Sequence, residues 1–141
     1  MTSVEKKLSA NDTGETGGHQ AGLLIPREQK MLKFFPKLDP TLYNPRCVID
    51  VMDDSDREWP FNYIYYNNFL HGRGTRNEYR LTGMTAFLRE NLLKTGDSLI
   101  FEHSGGRKYR VRLRRKSAVE VTPDGRKVLR LSGNWMMIDT D

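Results

Sequence analysis

The stretch Gly74-Thr75-Arg76-Asn77-Glu78-Tyr79-Arg80 carries three charged side chains two residues apart: Arg76, Glu78 and Arg80. In an extended chain, residues i, i+2 and i+4 point to one face. Such a face sets a guanidinium, a carboxylate and a second guanidinium in a row, about 6.5–7 Å apart. Arginine donates two hydrogen bonds to guanine O6 and N7, and glutamate accepts from cytosine N4. The row therefore has the chemistry to read G and C edges in a major groove. The same spacing also describes a plain surface strand whose opposite charges pair weakly with one another, and spacing alone favours that plainer reading.

The chain around this row has 141 residues, one domain's worth, with 37% hydrophobic and 29% charged residues. A modest core is possible. The net charge of +5 and a pI near 9.4 favour a polyanionic partner, nucleic acid before acidic lipid. Cys47 is the single cysteine, so no intrachain disulfide can form, and a reducing cytosol is expected. No apolar run approaches the roughly 20 residues that span a bilayer, so no membrane partner is expected. No apolar segment follows Lys6 and Lys7, so the N-terminus does not read as a secretory leader.

Alternation and turn residues predict a mainly β chain with two helices. Short strands are expected at Ala21–Pro26, Cys47–Met52, Phe61–Asn67, Ser98–His103, Arg107–Lys116, Val119–Thr122, Val128–Leu131 and Asn134–Ile138. Helices are expected from Arg27 to Phe35, closed by Pro36, and from an N-cap at Thr85 to about Leu93. Phe61, Tyr63 and Tyr65 fall on one side of their strand; they read as core rather than as a base-stacking stripe, although a stripe would suit a single-strand binder. Arg110, Arg112 and Arg114 alternate with Tyr109, Val111 and Leu113, which gives either a solvated outer face or a phosphate-tracking one. The Asp53–Asp56 run lacks the glycine and glutamate of an EF-hand and reads as a solvated turn.

Residues 1–21 differ in composition. Apart from Val4 and Leu8 they hold little to bury, so by themselves they read as a mobile leader. The sharper reading is an arm that orders on DNA. Lys6 and Lys7 would meet phosphates, and the short side chains of Ser9, Asn11, Asp12, Thr13 and Thr16 would donate and accept.

Two groups of strings carry a resemblance. Leu8-Ser9-Ala10-Asn11-Asp12-Thr13-Gly14, Thr16-Gly17-Gly18-His19-Gln20, Gly22 with Ile25-Pro26, then Tyr65-Tyr66-Asn67, Thr75-Arg76-Asn77-Glu78 and Arg80 resemble the N-terminal effector-binding domain of EcoRII-type restriction endonucleases. Tyr79-Arg80-Leu81-Thr82-Gly83 and Leu93 to Glu102 resemble plant B3 DNA-binding domains. The resemblance implies a B3-like pseudobarrel, a seven-stranded open β-barrel with two helices, over residues 22–141. It implies that this fold grips duplex DNA in the major groove between an N-arm, Lys6 to His19, and a C-arm, Arg73 to Arg80. DNA contacts would then come from Lys6, Lys7, Ser9, Asn11, Asp12, Thr13, Thr16 and His19, and from Arg73, Arg76, Asn77, Glu78 and Arg80. The implied target is CCWGG, where W is A or T, and the implied setting is a bacterial cytoplasm. The chain departs from the family pattern at Leu24, Gly74 and Tyr79.

The residues themselves argue against catalysis by this chain. A common nuclease site needs Pro-Asp followed downstream by Glu-x-Lys to hold Mg²⁺; here Glu28-Gln29-Lys30 precedes Pro123-Asp124. No zinc-ligand spacing surrounds Cys47, and His19, His71 and His103 have no nucleophile partner in sequence. No cofactor is expected here, and Mg²⁺ is expected only for a separate nuclease catalytic domain. The alternatives are a complete small metal-dependent nuclease and a single-strand binder using the tyrosines.

Overall fold

A computed structural model describes residues 2–15, 22–116, 127–131 and 134–139. Among these residues, nine strands form one sheet: β1 (Thr2–Lys7), β2 (Leu23–Ile25), β3 (Arg46–Met52), β4 (Glu58–Tyr66), β5 (Glu78–Thr82), β6 (Ser98–Gly105), β7 (Lys108–Arg114), β8 (Lys127–Leu131) and β9 (Trp135–Asp139). Their order is β2-β5-β4-β3-β7-β6-β1-β9-β8. The β3·β7 pair is parallel, and the other pairings are antiparallel. Twisted sheets of this width curl. The curl is visible where Trp135 Nε1, on β9, donates to the Leu24 carbonyl on β2 at 3.1 Å. The strands therefore make an open half-barrel around one core.

Alternation fills that core. Ile49 and Val51 from β3, Phe61 and Tyr63 from β4, Leu81 from β5, Leu99 and Phe101 from β6, and Val111 from β7 are all buried, as period-two strands require. The helices add aromatic bulk. From α2 (Gln29–Phe34), which follows the short α1 (Ala10–Thr13), Phe34 lies 5.4 Å from Tyr109, whose hydroxyl donates to the Phe34 carbonyl at 2.7 Å. Phe35 stacks on Tyr63 at 4.9 Å. From α3 (Thr85–Glu90), Phe87 meets Trp59 and Phe61 edge-on at 5.2 and 5.4 Å, a geometry that aromatic quadrupoles favour. Among the described residues, no helix is long and apolar enough to cross a membrane.

Several expectations change. Among the described residues the sheet has nine strands rather than seven, and residues 2–7, expected to be a loose leader, form one of them. β1 is hydrogen-bonded to β6 on one side and β9 on the other. Val4 and Leu8 are at most 1% exposed, and Leu8 exchanges backbone hydrogen bonds with Asp97 and Gly96. Two central neighbours supply ladder hydrogen bonds that a composition argument cannot see. The N-cap of α3 is Met84 rather than Thr85, with no side-chain hydrogen bond, and the helix ends at Glu90. The acidic turn is a structural anchor: Asp53 Oδ1 accepts from the Ser55 and Arg57 amides, and its Oδ2 accepts from Trp59 Nε1 at 2.9 Å. Thr16, His19 and the expected strand Val119–Thr122 lie outside the described residues.

Candidate nucleic-acid interface

The Arg/Glu/Arg row stands on the outer face of the half-barrel. Glu78 and Arg80 belong to β5, opposite Tyr66 and Ile64 of β4, and Thr82 faces Asn62. Arg46 of β3 lies across from Ile64, and Val48 from Asn62. The outward positions of three adjacent strands thus form one polar face, floored by Ile64 and Tyr66. On the edge strand β2, Leu24 is paired with Arg80.

The row is internally paired. Glu78 Oε1 accepts from Arg76 Nε at 2.5 Å, and its Oε2 accepts from Arg80 Nη2 at 3.2 Å. Burial raises the Glu78 pKa, but the hydrogen bonds from Arg76 and Arg80 and their charges outweigh it, so the carboxyl sits below its ordinary value. Arg76 also lies over the Tyr66 ring, 3.7 Å from its centroid, a cation–π contact that fixes the guanidinium plane. Arg80 donates to the Gly22 carbonyl at 3.3 Å. A Cβ on Gly22 would fall 2.3 Å from the Leu81 carbonyl oxygen, at a φ of +84°, so only glycine lets that segment approach β5 this closely. The Arg80 Nε is buried with no hydrogen-bond partner among the described residues.

The loop before β5 is held from below. Asn67 is fully buried. Its side chain accepts from the Asn44 amide at 2.8 Å and donates to the carbonyls of Pro40 and Leu42 at 3.2 and 2.8 Å. Across the loop, the Phe69 amide donates to the Arg76 carbonyl at 3.2 Å. Asn77 accepts from the Tyr65 hydroxyl at 2.8 Å, and Tyr65 stacks on Tyr79 at 4.1 Å with the rings 3° from parallel. Arg73 lies over the Tyr43 ring at 4.5 Å. The segment is thus braced, with a 3-10 turn at Asn68–His71 closed by Gly72 in the left-handed region.

The N-terminal candidates divide. Ser9 caps the short helix α1 (Ala10–Thr13) in a capping box with Asp12: the Ser9 amide donates to Asp12 Oδ2 at 2.9 Å, and the Asp12 amide to Ser9 Oγ at 3.3 Å. Thr13 spends its hydroxyl on the Ala10 carbonyl at 3.3 Å. Lys6 does not fit an exposed phosphate contact. It is 5% exposed, stands opposite the buried Leu99 and Trp135, and its Nζ pairs with Asp12 Oδ2 at 3.2 Å. A buried ammonium needs such a partner. Lys7 and Asn11 are exposed.

The two groups meet at one cleft of about 420 Å³, lined by Asp12 from the N-terminal turn, by Arg76 from the C-terminal loop, and by Arg46, Asn62, Tyr66 and Thr82 from the face between them. Arg46, Asn62, Tyr66 and Thr82 were not singled out from sequence. The signal was present: Asn62, Ile64 and Tyr66 occupy the strand face opposite Phe61, Tyr63 and Tyr65. Those last three are at most 8% exposed, so the tyrosine stripe is core and offers no base-stacking platform. Cys47 is buried, which pushes its thiol pKa up against the pull of Arg107, an environment of low thiol reactivity.

Known proteins resemble this chain in sequence and in fold. The type II restriction enzyme EcoRII of Escherichia coli is 39% identical over 97 residues, which cover 67% of this chain and 24% of the enzyme. Auxin response factor 11 of Oryza sativa subsp. indica is 35% identical over 97 residues, 68% of this chain and 9% of that protein. Auxin response factor 3 of Arabidopsis thaliana is 32% identical over 118 residues, 83% of this chain and 17% of that protein. The chain thus spans about a quarter or less of each relative's length. The structure of the Arabidopsis FUS3-DNA complex superposes with a TM-score of 0.61 at 20% identity, over 80% of this chain and 96% of that one, which establishes the B3-like fold. The family model described as restriction endonuclease EcoRII, N-terminal, matches residues 2–106, and the chain belongs to that family.

Proposed function

We propose that this chain is a sequence-specific duplex-DNA recognition domain, without catalysis of its own, of a larger restriction endonuclease in a bacterial cytoplasm. Its target is a short C/G-flanked site, CCWGG, gripped between the Ser9–Thr13 turn and the Arg73–Arg80 loop. The observation that carries this reading is the shared cleft: Asp12 and Arg76, 64 positions apart in the chain, border one polar face carrying Arg46, Asn62, Tyr66 and Thr82. Family membership and the net charge of +5 support it. Arg76 and Arg80 reach guanine edges, and Glu78 and Asp12 accept from cytosine N4. Mg²⁺ belongs to a separate nuclease domain. A duplex carrying CCWGG is expected to bind about 10³-fold or more tighter than a scrambled duplex. Equal affinity for the two in moderate salt rejects sequence reading. Metal-dependent nicking of plasmid that point mutants of this chain abolish would move the chemistry into it.

A further inference from the structure

One exposed feature lies outside the polar cleft. Leu42, Tyr43, Phe69 and Leu70 are 57, 43, 45 and 51% exposed, four large apolar side chains on two short segments. The segments are locked side by side. Asn67 bonds the Pro40 and Leu42 carbonyls, Asn68 Nδ2 donates to the Tyr43 hydroxyl at 2.9 Å, and the His71 ring meets the Tyr43 ring edge-on at 5.6 Å. The apolar groups are therefore held out on a braced support, where water contact is unfavourable for each.

Their surroundings say what covers them. Arg73 lies over Tyr43, and the Phe69 amide is hydrogen-bonded to the Arg76 carbonyl, so the shelf is continuous with the Arg73–Arg80 loop and edged by the Arg73 guanidinium. An occupant must be apolar where it meets the shelf and anionic beside it. A nucleic-acid duplex has that pattern: deoxyribose and thymine methyl groups next to phosphates.

We propose that Leu42, Tyr43, Phe69 and Leu70 form an apolar shelf that packs on deoxyribose or thymine methyl groups of the bound duplex, beside the polar contacts of Arg76 and Arg80. The inference rests on the duplex-binding reading above. Such a contact releases no counterions. Losing it lowers affinity without changing the dependence on salt, whereas losing a phosphate contact lowers the slope by about one.

The test measures binding of wild type, Phe69→Ser, Leu70→Ser and Leu42→Ser to the CCWGG duplex across a salt series. Melting curves show that each variant is folded; three exposed positions keep the test open if one fails. The expected result is a loss of about tenfold per variant, in the range of an interface anchor, with an unaltered slope of log affinity against log salt. Duplexes with deoxyuridine in place of thymidine separate the two sources. If methyl groups are the contact, wild type loses affinity on them and the Phe69 and Leu70 variants lose no more; if deoxyribose is, both sets are indifferent to the replacement. Folded variants that keep wild-type affinity on every duplex overturn the proposal and leave the shelf to a protein partner, as does a loss that comes with a reduced slope. Absence of duplex binding by wild type itself would instead reject the underlying reading.

Discussion

Arginines alternate along two strands of this sheet, and the two rows differ in what faces them. On β7 each arginine has its own carboxylate from another segment. Arg110 meets Asp56 at 3.9 Å, Arg112 meets Glu102 at 2.7 Å, and Arg114 meets the buried Glu5 at 3.2 Å. Along β5 and its approach, Arg76 and Arg80 share the single carboxylate of Glu78, and the exposed Arg46 stands on the same face. The first row is neutralised, and the second keeps a surplus of positive charge next to a cleft. A cationic row becomes a binding surface when its partners leave charge and donors unspent, and a structural seam when they do not.

The contrast can be broken at several points. Arg80→Ala has the largest expected effect on the site: a loss of about 1–3 kcal/mol of specific binding and relaxed discrimination between C·G and other pairs, read by titrating matched and mismatched duplexes. If Arg80→Ala retains full discrimination, the β5 row is no more a reader than the β7 row. Arg114→Ala is expected to act on the fold instead. It strands Glu5, 2% exposed, and removing one partner of a buried pair is costly. Because Arg114 itself is a third exposed, a stability loss of about 2 kcal/mol is expected, seen in denaturant melts with the preference among duplexes unchanged. Altered site preference would place β7 in the interface.

Acid sharpens the comparison further. The folded Glu78 pKa lies below its ordinary value, so its pairs with Arg76 and Arg80 contribute stability above the unfolded glutamate pKa of about 4.3. That contribution is lost as pH falls through the folded value. Wild type should therefore lose stability more steeply than Glu78→Gln below about pH 4.3. Superposed acid-denaturation curves would mean that the β5 charges do not couple. The smallest effect separates the two lysines. Lys7→Ala is expected to lower the salt slope of binding by about one with stability unchanged. Lys6→Ala, which leaves Asp12 without its buried ion pair, should lower stability and leave the slope alone; the opposite assignment would restore Lys6 as a phosphate contact.

Much of this was legible along the chain. Alternation put Arg76, Glu78 and Arg80 on one face and Phe61, Tyr63 and Tyr65 on the other side of a neighbouring strand. The expected strands Ser98–His103 and Arg107–Lys116 pair as the antiparallel hairpin β6–β7, which turns at Gly106–Arg107. The burial of Lys6 was not legible, because a short polar segment carries little sign of the two neighbours that bury it.

The sequence by itself determined what is local. It settled which residues share a strand face and which runs are apolar enough to pack, because period-two geometry and side-chain chemistry act over a few residues. Only the tertiary structure decided which charges neutralise each other. Arg114 and Glu5 are 109 positions apart, and Asp12 and Arg76 line one cleft. Such pairings depend on strand order and register, which are set by the burial of the whole core.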